Sequence, residues 1–157
     1  MFSFPDPVND NAARIVATWV VLLSLIIIFT KETLLIYILF YGFLARVLTG
    51  PTLSPIGFIS MKFIAPKFGP PKHVPGIPKR FAQAIGLVFA SAVLLLTLIS
   101  TTSQWEYHTE SYNIILGTLT LFAAIEAFVG FCTGCWVFGL LMKTGIIPEK
   151  ICKKCVY

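Results

Sequence analysis

Four long apolar segments divide the chain, and most of its polar residues lie between them. The segments cover residues 12–30, 33–48, 81–100 and 112–142. A helix needs about 20 apolar residues, each rising about 1.5 Å, to cross the hydrocarbon core of a bilayer. The first and third segments meet this length, the second is slightly short, and the fourth is too long for a straight perpendicular span. We expect the fourth segment to tilt, to kink at Gly130 or Gly134, or to leave the bilayer early.

These segments predict an all-α integral membrane protein with four transmembrane helices in a single domain, residues 1–157. Helices are expected because backbone groups inside lipid must find their hydrogen-bond partners within the protein. Only Lys31 and Glu32 separate the first two segments, which predicts an antiparallel hairpin. Residues 1–11 lack the basic start of a signal peptide, and no small-residue cleavage site follows, so we expect the first span to be retained.

The connection between the second and third spans carries structure of its own. Residues 54–65 predict a short helix, with Ser54 as its N-cap, Pro55 in its first turn and Pro66 as its stop. Because this helix is mostly apolar, we expect it to lie in the membrane interface or to enter the bilayer as a re-entrant segment. Four prolines then fall within residues 67–80, which predicts a stiff, extended strap across the mouth of the bundle.

Composition and charge support a membrane location. The chain is 57% hydrophobic and 12% charged, with a mean hydropathy of +0.85, whereas soluble domains have about 25% charged residues. The net charge of +5 could suit nucleic acid, but the basic residues are spread between apolar segments. An anionic lipid surface explains that spacing better, and we expect no nucleic-acid partner.

The basic residues also predict an orientation. In a four-span topology, eleven of the twelve Lys and Arg residues fall on the side of both termini, and only Lys31 falls on the other: Arg14, Arg46, Lys62, Lys67, Lys72, Lys79, Arg80, Lys143, Lys150, Lys153 and Lys154. Cytoplasmic loops carry such an excess of positive charge. We therefore expect a multi-pass protein of the bacterial inner (cytoplasmic) membrane, with both termini and the tail, residues 143–157, in the cytoplasm.

All four cysteines lie in the last 28 residues, as two CxxC pairs. Cys132 and Cys135 share one face of a helix, where they could cycle between dithiol and disulfide, carry a persulfide or bind a metal. The alternative is helix packing through small residues, Gly130 and Gly134 among them. Cys152 and Cys155 flank two lysines that favour thiolates, although a solvated tail with incidental cysteines is the simpler interpretation. The combined spacing also matches four-cysteine zinc sites.

Glu126 is a second candidate, because an ionised carboxylate within an apolar span is costly. On a continuous helix it lies opposite Cys135 and about 240° from Cys132, which makes it a poor base for either thiol. A structural role and a role in proton or ligand handling both remain open. Its candidate partners are Arg14, Arg46, Ser91 and Thr97.

Several short stretches resemble a bacterial family, the domain-of-unknown-function family 4395. They are VNDNAARIVA, LSPIG, GPPK with PKRFAQAIG, and IEAFVGFCTGCWVF, and the resemblance covers roughly residues 8–142. It implies a small four-span membrane protein, with a hint of thiol or sulfur chemistry beside thioredoxin-like or sulfurtransferase proteins. Cys152 and Cys155 fall outside the shared region, so a mechanism that needs all four cysteines cannot be common to the family.

The functional hypothesis is a membrane thiol protein that handles disulfides or sulfane sulfur at the cytoplasmic side. Its catalytic residues would be Cys132, Cys135, Cys152 and Cys155, as in a thiol–disulfide oxidoreductase. Quinone is a candidate electron acceptor, by analogy with four-span thiol oxidoreductases, and zinc is a candidate ligand of the four cysteines. Two alternatives stay open: a non-catalytic accessory subunit of a larger membrane complex, and a transporter of a small sulfur compound.

Overall fold

The computed structural model describes residues 6–51, 53–102 and 108–148, and most of them are helical. The α-helices are α1 (Asp10–Thr30), α2 (Thr33–Thr49), α3 (Pro55–Ile59), α4 (Gly76–Thr102), α5 (His108–Ala124) and α6 (Thr133–Lys143). Two short strands, β1 (Val8–Asn9) and β2 (His73–Val74), pair antiparallel. The predicted all-α fold therefore holds, with one small strand pair added.

The four long helices α1, α2, α4 and α5 form an up-and-down bundle. Helix α2 packs along α4, α1 packs along α5, and α4 also contacts α5. The core between them is made of large apolar side chains that are almost completely buried, among them Ile27, Ile36, Leu39, Val93 and Leu116. Each comes from the inward face of its helix, so burial of these side chains fixes the order of the helices around the bundle.

The outer face of the bundle is apolar as well. Large side chains such as Phe29, which is 83% exposed, point away from the core on every long helix. Among the described residues, three helical stretches are long and apolar enough to cross a bilayer: Asp10–Thr30, Gly76–Ile99 and Glu110–Val129. Helix α2 is apolar but shorter. Three to four apolar helices with apolar outer faces indicate a multi-pass membrane protein.

The connection after α2 begins as predicted and ends differently. Ser54 caps α3, with its Oγ accepting a hydrogen bond from the Gly57 N–H at 3.3 Å, and Pro55 occupies the first turn. The α-helix stops at Ile59, however, and continues as a π-helical turn, Ser60–Ile64, and a 3-10 turn, Ala65–Phe68. Pro66 has no N–H to donate to an α-helical ladder. The short helix predicted over residues 54–65 is present, but it is α-helical only as far as Ile59, and the helical course runs past Pro66, the predicted stop, to Phe68.

The strap is tied to the beginning of the chain. The Asp10 N–H donates to the Lys72 carbonyl at 2.8 Å, and the Gly76 N–H donates to Asp6 Oδ1 at 2.9 Å. These bonds flank the β1–β2 pair, in which Val8 lies opposite Val74. The extended part of the strap ends where α4 begins, at Gly76 rather than at the predicted residue 81. Its contacts place the strap over the end of the bundle at which α1 and α4 begin, here called the strap end.

Gly86 provides a test of this packing. A Cβ atom at Gly86 would overlap the ring of Phe43 on α2, whereas a Cβ at Gly117 on α5 meets no atom within 4 Å. We expect Gly86→Ala to lower the free energy of unfolding by about 1–3 kcal/mol, because a well-packed core resists added volume. Gly117→Ala is the control and should change stability little or raise it slightly. Unfolding of the two purified variants in detergent measures the difference, and equal stabilities would contradict this helix arrangement.

Candidate functional site

The fourth apolar segment is broken into two helices. Helix α5 ends at Ala124, a π-helical turn follows over Ile125–Val129, and α6 starts only at Thr133. Between them Gly130 has a φ of +77°, a left-handed conformation that favours glycine, and its N–H donates to the Glu126 carbonyl at 3.1 Å. The kink foreseen at Gly130 is present, whereas Gly134 lies inside α6. Residues 112–142 are thus not one continuous span.

Arg14 of α1 satisfies the carbonyl groups that the break leaves free. Its Nε and Nη2 each donate to the Ala127 carbonyl at 3.3 Å, and Nη2 also donates to the Phe128 carbonyl at 3.1 Å. Carbonyl groups at a helix end need such partners, above all where water is scarce. Arg14 was predicted as a partner of the Glu126 carboxylate, but its described hydrogen bonds go to the neighbouring backbone instead.

The first CxxC pair lies at the start of α6. Cys132 is the N-cap of this helix, and its Sγ accepts a hydrogen bond from the Cys135 N–H at 3.3 Å. Cys132 and Cys135 form a disulfide across the first helical turn, with their Cα atoms 5.2 Å apart. The amino end of a helix carries a partial positive charge. Cys132 Sγ therefore lies at the partly positive end of α6.

A buried ion triad lies beside the helix break. Lys79 Nζ is 3.0 Å from Asp10 Oδ1 and 2.8 Å from Glu126 Oε1. The Lys79 side chain is only 7% exposed, and each carboxylate side chain is 13% exposed. The ammonium group thus holds together the beginnings of α1 and α4 and the π-helical turn after α5. Charges this deep in a protein are tolerated only when they are paired.

Arg46 adds a second buried cation near the triad. It is 5% exposed, its guanidinium lies 4.6 Å from the centre of the Phe43 ring, and it is close enough to attract Glu126 electrostatically. Of the other predicted partners of Glu126, Ser91 and Thr97 donate to carbonyl groups of their own helix.

The sequence reasoning missed Lys79 and Asp10. A signal was available, because Asp10 and Lys79 stand at the borders of the first and third apolar segments.

Two cavities border Cys132. The outer cleft, of about 430 Å³, is bordered by charged and aromatic side chains and by both cysteines: Asp10, Lys72, Lys79, Phe131, Cys132, Cys135 and Trp136. The inner cavity, of about 150 Å³, extends into the apolar bundle, and its polar lining comes from Gln83, Glu126, Cys132 and Thr133. Cys132 therefore borders both spaces. Trp136, 57% exposed, stands at the opening of the outer cleft.

Two residues that line the inner cavity each have a polar side-chain atom with no hydrogen-bond partner among the described residues. The atoms are Gln83 Oε1 and Thr133 Oγ1, and both are shielded from solvent. Gly134, next in the chain, forms part of the wall where α6 meets α4, since a Cβ there would lie 2.6 Å from the Ala82 Cα. Gly134 thus allows α6 to approach α4 closely, and the first turn of α6 packs against Ala82 beside the cavity.

The remaining predicted site residues lie elsewhere. Cys152 and Cys155 fall outside the described residues. Within the described part of the chain, no group of three or more His, Cys, Asp or Glu residues is arranged to hold a metal ion. The zinc hypothesis requires the Cys132–Cys135 disulfide to be reduced and the tail to reach it. Zinc and quinone both stay predictions.

Comparison with known proteins identifies the family. The family described as "Domain of unknown function (DUF4395)" matches residues 8–143. The chain belongs to this family. The match includes the strap, the whole ion triad and the Cys132–Cys135 pair, and it ends before Cys152 and Cys155. No curated protein and no solved structure matches the chain.

The ion triad predicts a large effect of one lysine substitution. Lys79→Met leaves two carboxylates buried without their cation, which costs about 3–5 kcal/mol when a buried pair is broken, and less if one carboxylate takes up a proton. Lys72→Met is the matched control, because Lys72 is exposed on the strap and should change stability by about 0.5 kcal/mol or less. Unfolding in detergent compares the two variants. Similar losses for both would show that the triad is not a principal contact of the strap end.

Proposed function

We propose that this protein is a membrane thiol–disulfide exchange protein whose working pair is Cys132 and Cys135. The observation that carries this proposal is the disulfide across the first turn of α6, beside an open cleft. A disulfide buried only for structure would need no opening wide enough for a second sulfur-bearing molecule. Here both cysteines border a cleft of about 430 Å³.

The two sulfurs have different tasks in this proposal. Cys132, with its Sγ facing the Cys135 N–H and the amino end of α6, is the attacking thiolate. It attacks a partner disulfide, forms a mixed disulfide and releases one partner thiolate. Cys135, one helical turn away, then attacks the Cys132 sulfur and releases the second partner thiolate. The protein ends with its disulfide and the partner with two thiols, and the reverse sequence reduces the protein.

The outer cleft supports a soluble partner. Its mouth presents Trp136 and Phe131, both exposed, beside Lys72 of the strap. Exposed aromatic groups next to a basic residue suit docking of another protein, and a thioredoxin-like dithiol protein has the required chemistry. In this proposal the cleft faces the cytoplasm, as the distribution of Lys and Arg favours. Cys152 and Cys155, nine and twelve residues beyond the end of α6, exchange with the same partner.

Sulfane-sulfur transfer uses the same residues and is the nearest alternative. Cys132 would then attack a persulfide, carry one sulfur atom and pass it to an acceptor thiolate. The two reactions differ in their product on the protein: an intramolecular disulfide in one, and a persulfide in the other. Mass spectrometry of the quenched protein separates them, because a persulfide adds the mass of one sulfur atom.

Thiol trapping tests the proposal. In a Cys152→Ser, Cys155→Ser background only the first pair can react. After acid quenching, a mass-tagging maleimide should label two thiols in reduced membranes and none in oxidised ones. Adding Cys135→Ser should accumulate a mixed disulfide on Cys132, whereas adding Cys132→Ser should not. In sealed inside-out vesicles, an impermeant maleimide should label the reduced pair as fast as a permeant one does.

Two outcomes would contradict the proposal. If Cys132 and Cys135 keep one oxidation state under strong oxidant and strong reductant alike, thiol–disulfide exchange is excluded. The accessory-subunit and transporter hypotheses then remain. If the impermeant reagent labels only right-side-out vesicles, the cleft faces away from the cytoplasm, and a cytoplasmic thioredoxin-like partner is excluded. The Cys152→Ser, Cys155→Ser protein, in which Cys132 and Cys135 are both intact, is the control in both vesicle orientations.

A further inference from the structure

We propose that Glu126 takes the proton of the Cys132 thiol, and that the ion triad passes this proton to the outer cleft. The proposal rests on the thiol–disulfide exchange proposed above and assigns a proton path to it. The proton path has three parts: the inner cavity, the Asp10–Lys79–Glu126 triad and the outer cleft. Cys132 borders the first and the last of these, and the triad connects them.

The helix break makes this geometry. On a continuous helix Glu126 and Cys132 would lie about 240° apart and face different neighbours. The π-helical turn and the left-handed Gly130 redirect the chain between them. As a result, Glu126 and Cys132 both line the inner cavity.

The inner cavity is suited to water. Its volume of about 150 Å³ exceeds the roughly 30 Å³ that one water occupies in the liquid, and water enters only cavities that offer polar partners. The polar side chains among its lining residues, those of Gln83, Thr133 and Glu126, provide such partners beside Cys132. A short chain of water in this cavity can carry a proton from the Cys132 sulfur to the Glu126 carboxylate.

Charged side chains from three helices surround Glu126. The cations that face it are Lys79 of α4, 2.8 Å away, and Arg46 of α2, while Arg14 of α1 binds the backbone of the next two residues. Asp10 of α1 shares the Lys79 ammonium, and it is the one further carboxylate among the described residues of this cluster. Glu126 is thus in direct contact with Lys79, which also contacts Asp10 at the outer cleft, so the three side chains form a continuous path for a proton.

The reaction balances without any further reactant. Cys132 gives its proton to Glu126 and attacks the partner disulfide, so that one sulfur–sulfur bond forms and another breaks. The Glu126 proton passes to Lys79 as the ammonium gives one of its own protons to Asp10. Asp10, at the outer cleft, then protonates the partner thiolate that has just left. The net change is one proton moved from Cys132 to the leaving thiol, with the charges of the triad restored.

The test measures how fast Cys132 alone reacts, as a function of pH. The parent protein is the full chain in nanodiscs with Cys135→Ser, Cys152→Ser and Cys155→Ser, so that Cys132 is its single thiol. The probe is bis(2-hydroxyethyl) disulfide, which is uncharged across the pH range. Glu126→Gln keeps the size of the side chain and an oxygen that can bind Lys79, but it cannot take up the proton. Glu110→Gln, an exposed position near the start of α5, is the matched control.

We expect Glu126→Gln to slow the reaction by at least tenfold at low pH, since positioned acid–base groups contribute about 10²–10⁴-fold. The difference from the parent should disappear as rising pH ionises the thiol without help. Glu126→Asp, which keeps a carboxylate, should restore most of the rate at low pH, and Glu110→Gln should match the parent throughout. If Glu126→Gln slows the reaction by the same factor at every pH, Glu126 only positions α6. That result would overturn the proposal.

Other outcomes separate this proposal from the one on which it rests. If the parent reacts and Glu126→Gln reacts equally fast at every pH, the proton path is wrong while thiol exchange stands. If the parent itself does not react with the probe, the proposed exchange fails first. Should Glu126→Gln fail to fold, the solvent deuterium isotope effect on the parent decides. An effect present at low pH and lost at high pH is expected, and its absence at every pH contradicts the proton path.

Discussion

The left-handed backbone at Gly130 is the constraint on which the rest of the site depends. It ends the helical path that started with α5 and lets the chain restart at Cys132 in a new direction. Without this turn Cys132 would be an interior residue of a long helix, with no free helix end to face. The turn therefore converts two cysteines within an apolar segment into a pair at a helix amino end, which carries a partial positive charge.

A broken helix in a membrane protein needs partners for its free backbone groups, and α1 supplies them. Arg14 binds the carbonyls before Gly130, and Asp10, one turn earlier on the same helix, binds Lys79. Lys79 in turn binds Glu126 inside the π-helical turn. The beginning of α1 is held in place by the strap through the β1–β2 pair and the Asp10–Lys72 backbone bond. Strap, triad and helix break thus form one connected structure, and the cysteine pair sits on it.

The sequence predicted the scaffold better than the site. Apolar segments of sufficient length indicate helices whatever surrounds them, so the bundle and the hairpin at Lys31 could be foreseen. The break could be foreseen only as one of several options, because its course depends on Arg14, which is 113 residues away from Ala127 in the chain. The place of Lys79 also depends on residues far away in the chain, Asp10 and Glu126, and the sequence pattern alone assigned Lys79 to the strap. Glu126 is badly placed for the thiols only on a straight helix, and here a π-helical turn and the positive φ of Gly130 intervene between Glu126 and Cys132.

Hydrogen–deuterium exchange of the membrane-embedded protein, followed amide by amide from α5 to α6, tests the central claim most directly. In an unbroken transmembrane helix every amide is protected by the carbonyl four residues before it. We expect a window of fast exchange over residues 131–134, with slow exchange on both sides, because the first amides of α6 have no helical partner. Uniform protection from residue 112 to residue 142 would show a continuous helix, and it would contradict the placement of the cysteine pair at a helix start.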